Sequence, residues 1–283
     1  MDFTNIDQEL HSLLKDNLEV STISWLQTKV DTIVAADSAR ELYLTYSLLA
    51  SKVDSAKVFN LSNGLLEDYL KAQNASTLEV ARIYLLSTVL KKNASYFEPK
   101  VASLIQVADT GELVTFLKFL ILLPNAEIYK QTAVEALRTN IATVFEAISM
   151  NNPYPAKYFN DQQWNQMYLK AAFMQLDLSG ILEIDKRANK DLTRIISDYA
   201  HERWAASRDV DPLFWRPVSG FLDANLLKDM ERLLNSANDS ENRAGALCCF
   251  HSNLPEAKML LNEYPELYKQ VTHNTVSWEN IKN

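Results

Sequence analysis

The chain has 283 residues, 47% of them hydrophobic and 23% charged, which is the balance of an ordinary globular protein. Only 5 residues are glycine, against a typical usage of about 7%; nucleotide-binding loops and Greek-key corners depend on glycine, and no GxGxxG or GxxxxGK[ST] pattern occurs. A net charge of −8, with no Lys/Arg run longer than two, argues against a surface built for nucleic acid.

The opening residues, MDFTNIDQEL, are acidic and lack the apolar core of a secretory signal, so a cytoplasmic protein is expected. The first β-branched stretch, KVDTIVAADS, keeps helical spacing through Trp25, Val30 and Ile33. Further on, Ser76 with Glu79, Ser95 with Glu98, Asp109 with Glu112 and Asn160 with Gln163 each have the spacing of a capping box. Behind the first of these, Leu78, Ala81, Leu85, Leu86 and Val89 form one helical stripe, and Leu104, Val107 and Ala108 extend the next. The most apolar run, LVTFLKFLILL over 113–123, is about half the length needed to span a bilayer and carries Lys118, so it reads as a core helix with no membrane insertion.

The segment TAVEALRTNIATVFEAIS is expected to form one helix, on which Arg138 sits with Ile141, Ala142 and Phe145 at three, four and seven. That places a guanidinium on the apolar face, paired with Glu135, Asp185 or Asp198, either as a structural ion pair or as a carboxylate clamp. Arg138→Ala would then break a buried pair. Asn140, two residues on, joins it as a candidate. The loop MNNPYPAKYF is stiffened by two prolines and serves as a corner or as the roof of a pocket. In the helix that follows, Asn165 lies at the edge of an apolar stripe, so its amide needs a protein partner.

The segment EIDKRANKDLTRIISDYAHERWAASR is the densest in polar groups. Asn189 is expected to cap a helix whose stripe runs Leu192, Ile195, Ile196 and Tyr199 and is then interrupted by Arg203. His201, Trp204 and Arg208 share an adjacent face, with a cation–π contact between Trp204 and Arg208 expected; Asp198 and Glu202 share the next. A metal site from Asp198, His201 and Glu202 lacks the HExxH pattern and a second histidine, so no metal and no cofactor are expected. Nor is any nucleophile spaced to meet His201 as a general base. Beyond it, the two cysteines, Cys248 and Cys249, are adjacent within AGALCCF and read as buried small hydrophobes of a reduced protein. Short amphipathic helices around Pro255 close the chain.

These signals predict an all-α fold of roughly twelve to fourteen helices of about 10–18 residues. Prolines 124, 153, 155, 212, 217, 255 and 265 are read as falling between apolar runs, where proline can start or end a helix but not sit inside one. Short connections suggest an irregular HEAT-like α-solenoid of stacked antiparallel helix pairs, with 1–283 a single domain. Arg138, Asn140, Asn165, Asp198, His201, Arg203 and Trp204 are the candidate ligand-binding residues, expected to gather at one polar pocket; no catalytic residue is assigned.

The strings LRTNIATVFEAI, NNPYPAKYFNDQQWNQMYLKAAF, DKRAN, DYAHERWAASR and WRPVSGF resemble the EboA domain proteins. The resemblance is strongest over 110–265 and weaker over the first hundred residues. It implies a bacterial protein of the Ebo gene cluster, which accompanies secondary-metabolite pathways such as that of scytonemin. The cluster also encodes a UbiA-like prenyltransferase, metal-dependent hydrolases, a sugar-phosphate cyclase and a phosphatase-like protein. It is associated with moving or processing precursors between cytoplasm and periplasm. The family has no established enzymatic activity and supplies no catalytic residues. Ala136 and Ser207 stand where glycine is usual. Two readings follow: a non-catalytic accessory or scaffold protein binding another cluster protein or an intermediate, and an enzyme or small-molecule binder using the Arg/Asn/His cluster on a polar or anionic metabolite. A nucleic-acid-binding helical array would require a continuous basic groove.

Overall fold

The computed structural model describes residues 3, 5–55 and 64–282, and among these the chain is helical with no β-strand. It divides into two compact units, Met1–Tyr158 and Phe159–Asn283. In the first, α1 (Ile6–Asn17), α2 (Val20–Ala35), α3 (Ala39–Leu48) and α4 (Leu65–Ala72) lead to α5 (Thr77–Lys92) and α6 (Ala94–Ala102). Then come α7 (Leu104–Val107), α8 (Thr110–Lys118), α9 (Lys130–Ala136), α10 (Ala142–Ser149) and α11 (Tyr154–Tyr158).

Helix α5 is the core of this unit. Thirteen of its sixteen residues are buried, Thr77, Arg82, Ser87 and Thr88 among them, so burial extends well beyond the apolar stripe, and α1, α2, α6 and α8 pack against it. Its one buried cation, Arg82, lies 3.6 Å from Glu112 of α8, and its Nε donates to the Tyr46 carbonyl at 3.3 Å. The Tyr46 hydroxyl donates to the Glu112 carbonyl at 2.9 Å, which closes the network.

The second unit contains α12 (Asp161–Phe173), α13 (Ile184–Arg187), α14 (Lys190–Ala205) and a 3-10 segment, Pro212–Phe221. It ends with α15 (Ala224–Leu234), α16 (Asp239–His251), α17 (Pro255–Asn262) and α18 (Pro265–Thr272). Here α16 is central, touching α15, α17, α18 and the 3-10 segment. Cys248 and Cys249 are buried and unpaired. Gly245 lets α15 approach: a Cβ there would lie 3.0 Å from the Leu233 Cβ and 3.3 Å from the Leu234 nitrogen.

Capping boxes form at Ser76–Glu79, Asp109–Glu112 and Asn160–Gln163. The fourth does not, because Asn93 caps α6 instead and Ser95 lies inside the helix. Pro155 stands at the start of α11, and Pro217 lies inside a helical segment. Eighteen α-helices are found among the described residues, more than expected, and α7, α11 and α13 span only 4, 5 and 4 residues, too short for any apolar period to register. Glycine scarcity also has a visible counterpart: the left-handed positions are held by Asn5, Asp37, Asn74, Asn125, Asn151 and Asn274, with Gln175, Glu183 and Ser207. Asparagine and aspartate adopt this conformation at lower cost than other side chains do.

Candidate functional site

The C-terminal end of α14 borders several depressions of the second unit. The helix closes with the Arg208 N–H on the Arg203 carbonyl at 2.9 Å and the Ser207 N–H on the Trp204 carbonyl at 3.0 Å. That is the Schellman pattern, in which the residue just past the cap turns left-handed. Ser207, at φ 53°, occupies that position, a conformation that glycine adopts without a Cβ penalty. Arg203 is half-buried and donates through Nε and Nη2 to the Asp209 carbonyl at 3.1 and 2.9 Å. It fastens the outgoing loop to the helix.

Three adjoining depressions open around this end. One, of about 730 Å³, is walled by Trp204, Arg208, Lys228, Arg232 and Glu241 among others. The second, of about 480 Å³, shares Ser207, Arg208 and Asp209 with the first and adds Tyr199, Arg203 and Phe214. The third, of about 670 Å³, lies between α12 and α14, where Leu169, Phe173 and Tyr199 meet Lys170, Arg203 and Arg208. Arg208 borders all three. Burial holds the Lys170 ammonium below the usual lysine range.

Trp204 stacks on Trp215 with ring centres 5.6 Å apart and planes at 19°. Its cation is Arg232 of α15, 4.2 Å from the ring centre, where sequence spacing pointed to Arg208. His201 Nε2 lies 2.6 Å from Oδ1 of the buried Asp229, whose other oxygen accepts from the Ser197 hydroxyl at 2.6 Å. The imidazole is thereby tied to α15, and its side chain stays 61% exposed. Asp198 is exposed and pairs with Arg194 at 3.4 Å.

Asn165 is buried and exchanges two hydrogen bonds with Asn189, at 3.1 and 2.9 Å. The Asn189 oxygen also accepts from the Leu192 N–H at 2.9 Å, capping α14 as its spacing predicted. The Asn165 amide finds its partner in the protein, and its role in the fold is to hold that cap.

Arg138 and Asn140 belong to the first unit, and both are exposed. The expected continuous helix breaks here: α9 stops at Ala136, and the Thr139 hydroxyl takes the Ile141 N–H at 3.1 Å before α10 begins. With the helix interrupted, the three-and-four spacing no longer defines a face, and Ile141 is itself 50% exposed. Arg138 forms no ion pair among the described residues, and Arg203 meets a carbonyl rather than a carboxylate. The buried, carboxylate-paired arginine is Arg82. Asp185, expected as a partner of Arg138, holds Arg216 in a two-pronged contact at 2.9 and 2.7 Å.

Of the sequence-derived candidates, then, Arg203 and Trp204 line the depressions, while His201 and Asp198 stand beside them on the same helix. Sequence reasoning missed Phe173, Lys170, Lys228 and Arg232 as lining residues, and Asp229 as the group that positions His201. Phe173 continued a helical stripe and gave no sign that it would be left 73% exposed.

The family model described as "Metabolite traffic protein EboA" matches residues 6–219. The chain belongs to the EboA family. The match begins at residue 6, takes in all of α12 and α14, and ends within the 3-10 segment. In this EboA-family chain the wall supplied by α15 and α16 to the first depression lies beyond the matched residues. No curated protein and no solved structure matches the chain. No helix among the described residues is long and apolar enough to cross a membrane.

Proposed function

We propose that this EboA-family chain is a non-catalytic accessory protein that binds an intermediate of a bacterial secondary-metabolite pathway, of the scytonemin type, at the depressions around Arg208. The observation that carries the reading is the convergence of three adjoining concavities on one arginine at the end of α14. The family's description as a metabolite traffic protein supports it. Small-molecule sites are concavities of roughly 300–1,000 Å³ with a few polar groups among apolar walls, and these depressions fall within that range. A handover partner from the same cluster, a cytoplasmic location, HEAT-like stacking and a single functional domain over 1–283 belong to the same proposal.

The test is co-purification. The tagged chain is expressed with and without the rest of its gene cluster, and small molecules released on denaturation are identified by mass spectrometry. A pathway compound recovered near one equivalent only in the first case supports the reading. Recovery of none overturns it.

One observation favours a second reading, an enzyme acting on a polar metabolite: Asp229 orients His201 through a 2.6 Å contact. His201→Ala separates the two. The accessory reading expects metabolite recovery unchanged, and the enzymatic reading expects the recovered compound to shift from product to substrate.

A further inference from the structure

We infer that the depression between α12 and α14 takes a soluble amphiphilic organic anion, its apolar body against Leu169, Phe173 and Tyr199 and its carboxylate, sulfonate or phosphate toward Arg203 and Arg208. This rests on the accessory reading and names the ligand class at one part of the same site.

Helix α12 supplies the apolar wall. Leu169 and Phe173 stand one helical turn apart, so they present a continuous strip. Phe173 is 73% exposed, the highest exposure of any large aromatic side chain among the described residues. Facing it, Tyr199 is held edge-on against the buried Phe214, with ring centres 5.2 Å apart and planes at 68°, so this wall does not collapse inward. Its hydroxyl has no protein partner among the described residues and adds a donor to the rim.

Charge supplies the polar side. The protein carries 36 acidic against 28 basic side chains, yet this depression is lined by Lys170, Arg203 and Arg208 against Glu202 alone. Arg82, Arg187, Arg194 and Arg216 each have a carboxylate partner. Arg203 and Arg208 have none among the described residues, and Arg203 is held in place by the Asp209 carbonyl. A fixed guanidinium with spare donors beside an apolar wall suits an anion carried on an apolar body. Burial weakens the Lys170 ammonium, and an anion seated nearby would strengthen it.

The probe is 1-anilinonaphthalene-8-sulfonate, with N-phenyl-1-naphthylamine as the uncharged counterpart of similar ring body. Phe173→Ser and Arg208→Glu alter exposed side chains, so the fold is expected to survive, as circular dichroism and melting will verify. Arg40→Glu, on exposed Arg40 of α3, is the charge-matched control. The sulfonate is expected to bind the wild-type chain saturably at one equivalent, and about tenfold more weakly in Arg208→Glu, the usual loss for a charged hydrogen bond. Arg40→Glu should leave it unchanged. The uncharged probe should bind more weakly than the sulfonate, lose affinity in Phe173→Ser and be indifferent to Arg208→Glu.

Equal weakening by Arg208→Glu and Arg40→Glu would overturn the inference, since only net charge would then matter. So would equal wild-type affinity for the two probes. A third arm tests the source of the anion: if phosphatidylglycerol vesicles bind through Phe173 and Arg208 while the free sulfonate does not, the site reads a membrane surface and the soluble ligand is wrong. Should the sulfonate fail while a pathway compound still co-purifies, the ligand class falls and the accessory reading stands. The opposite result leaves the site chemistry standing and removes the accessory reading.

Discussion

Two arginines at the residue scale show how little a side chain's type says without its surroundings. Arg82 is sealed in α5 against Glu112 and the Tyr46 carbonyl, while Arg138 projects into solvent past the end of α9. Removing one partner of a buried pair leaves a charge without compensation and costs about 3–5 kcal/mol, whereas exposed positions usually change stability by less than about 0.5 kcal/mol. Arg82→Ala is therefore expected to lower unfolding free energy strongly and Arg138→Ala hardly at all, as measured by urea denaturation. Similar losses in both would mean that the α5 network contributes nothing beyond its bulk. Sequence spacing pointed to Arg138 because its neighbours at three, four and seven are apolar. The same spacing fits Arg82, whose neighbours at three, four and seven are Leu85, Leu86 and Val89, so spacing alone does not separate the buried arginine from the exposed one.

Among the elements, α15 and α16 show a packing that a single small residue permits. Gly245 faces Leu233 and the backbone of Leu234, and an added methyl would meet atoms at 3.0 to 3.3 Å, including a main-chain nitrogen that cannot swing aside. Gly245→Ala improves helix propensity, so on local grounds it should stabilise. Overpacking in a well-packed core costs about 1–3 kcal/mol, and here that term is expected to win. Thermal unfolding of the variant gives the answer directly: a higher melting temperature would mean that the helices separate freely. Asp229 lies on this same α15 and holds His201, so a displaced α15 should also disturb the imidazole, visible as a shift of its ring resonances.

Across the whole molecule, buried phenols and thiols make stability depend on pH in one direction. Burial raises Tyr46, Tyr69, Tyr154 and Tyr168 above the usual phenol range, and it pushes Cys249 up to about 12 and Cys248 higher as well. Each of these groups is neutral when protonated, so the native state favours the protonated form. Their stabilisation is fully present below the unfolded values, about 8.5 for thiols and 10 for phenols, and is lost as pH rises toward the native values. The melting temperature should thus fall above about pH 8.5. Tyrosinate absorbance of these buried rings should appear together with unfolding rather than before it. Phenolate forming in a still-folded chain would show that the rings are accessible.

Helix type and the starts of several helices were legible in the sequence because both depend on neighbours within four residues. The boxes at Ser76, Asp109 and Asn160 and the cap at Asn189 are local hydrogen bonds between near residues, and the apolar stripes are a local period. The EboA resemblance was equally readable from contiguous strings. What surrounds the end of α14 was not. Asp229 reaches His201 from 28 residues away, Arg232 reaches Trp204 from a different helix, and Phe173 faces open space because no other described element covers it. Those are outcomes of packing between elements distant in the chain, where no periodicity carries information. Burial of a charge is decided by what lies opposite it, which only the tertiary structure supplies.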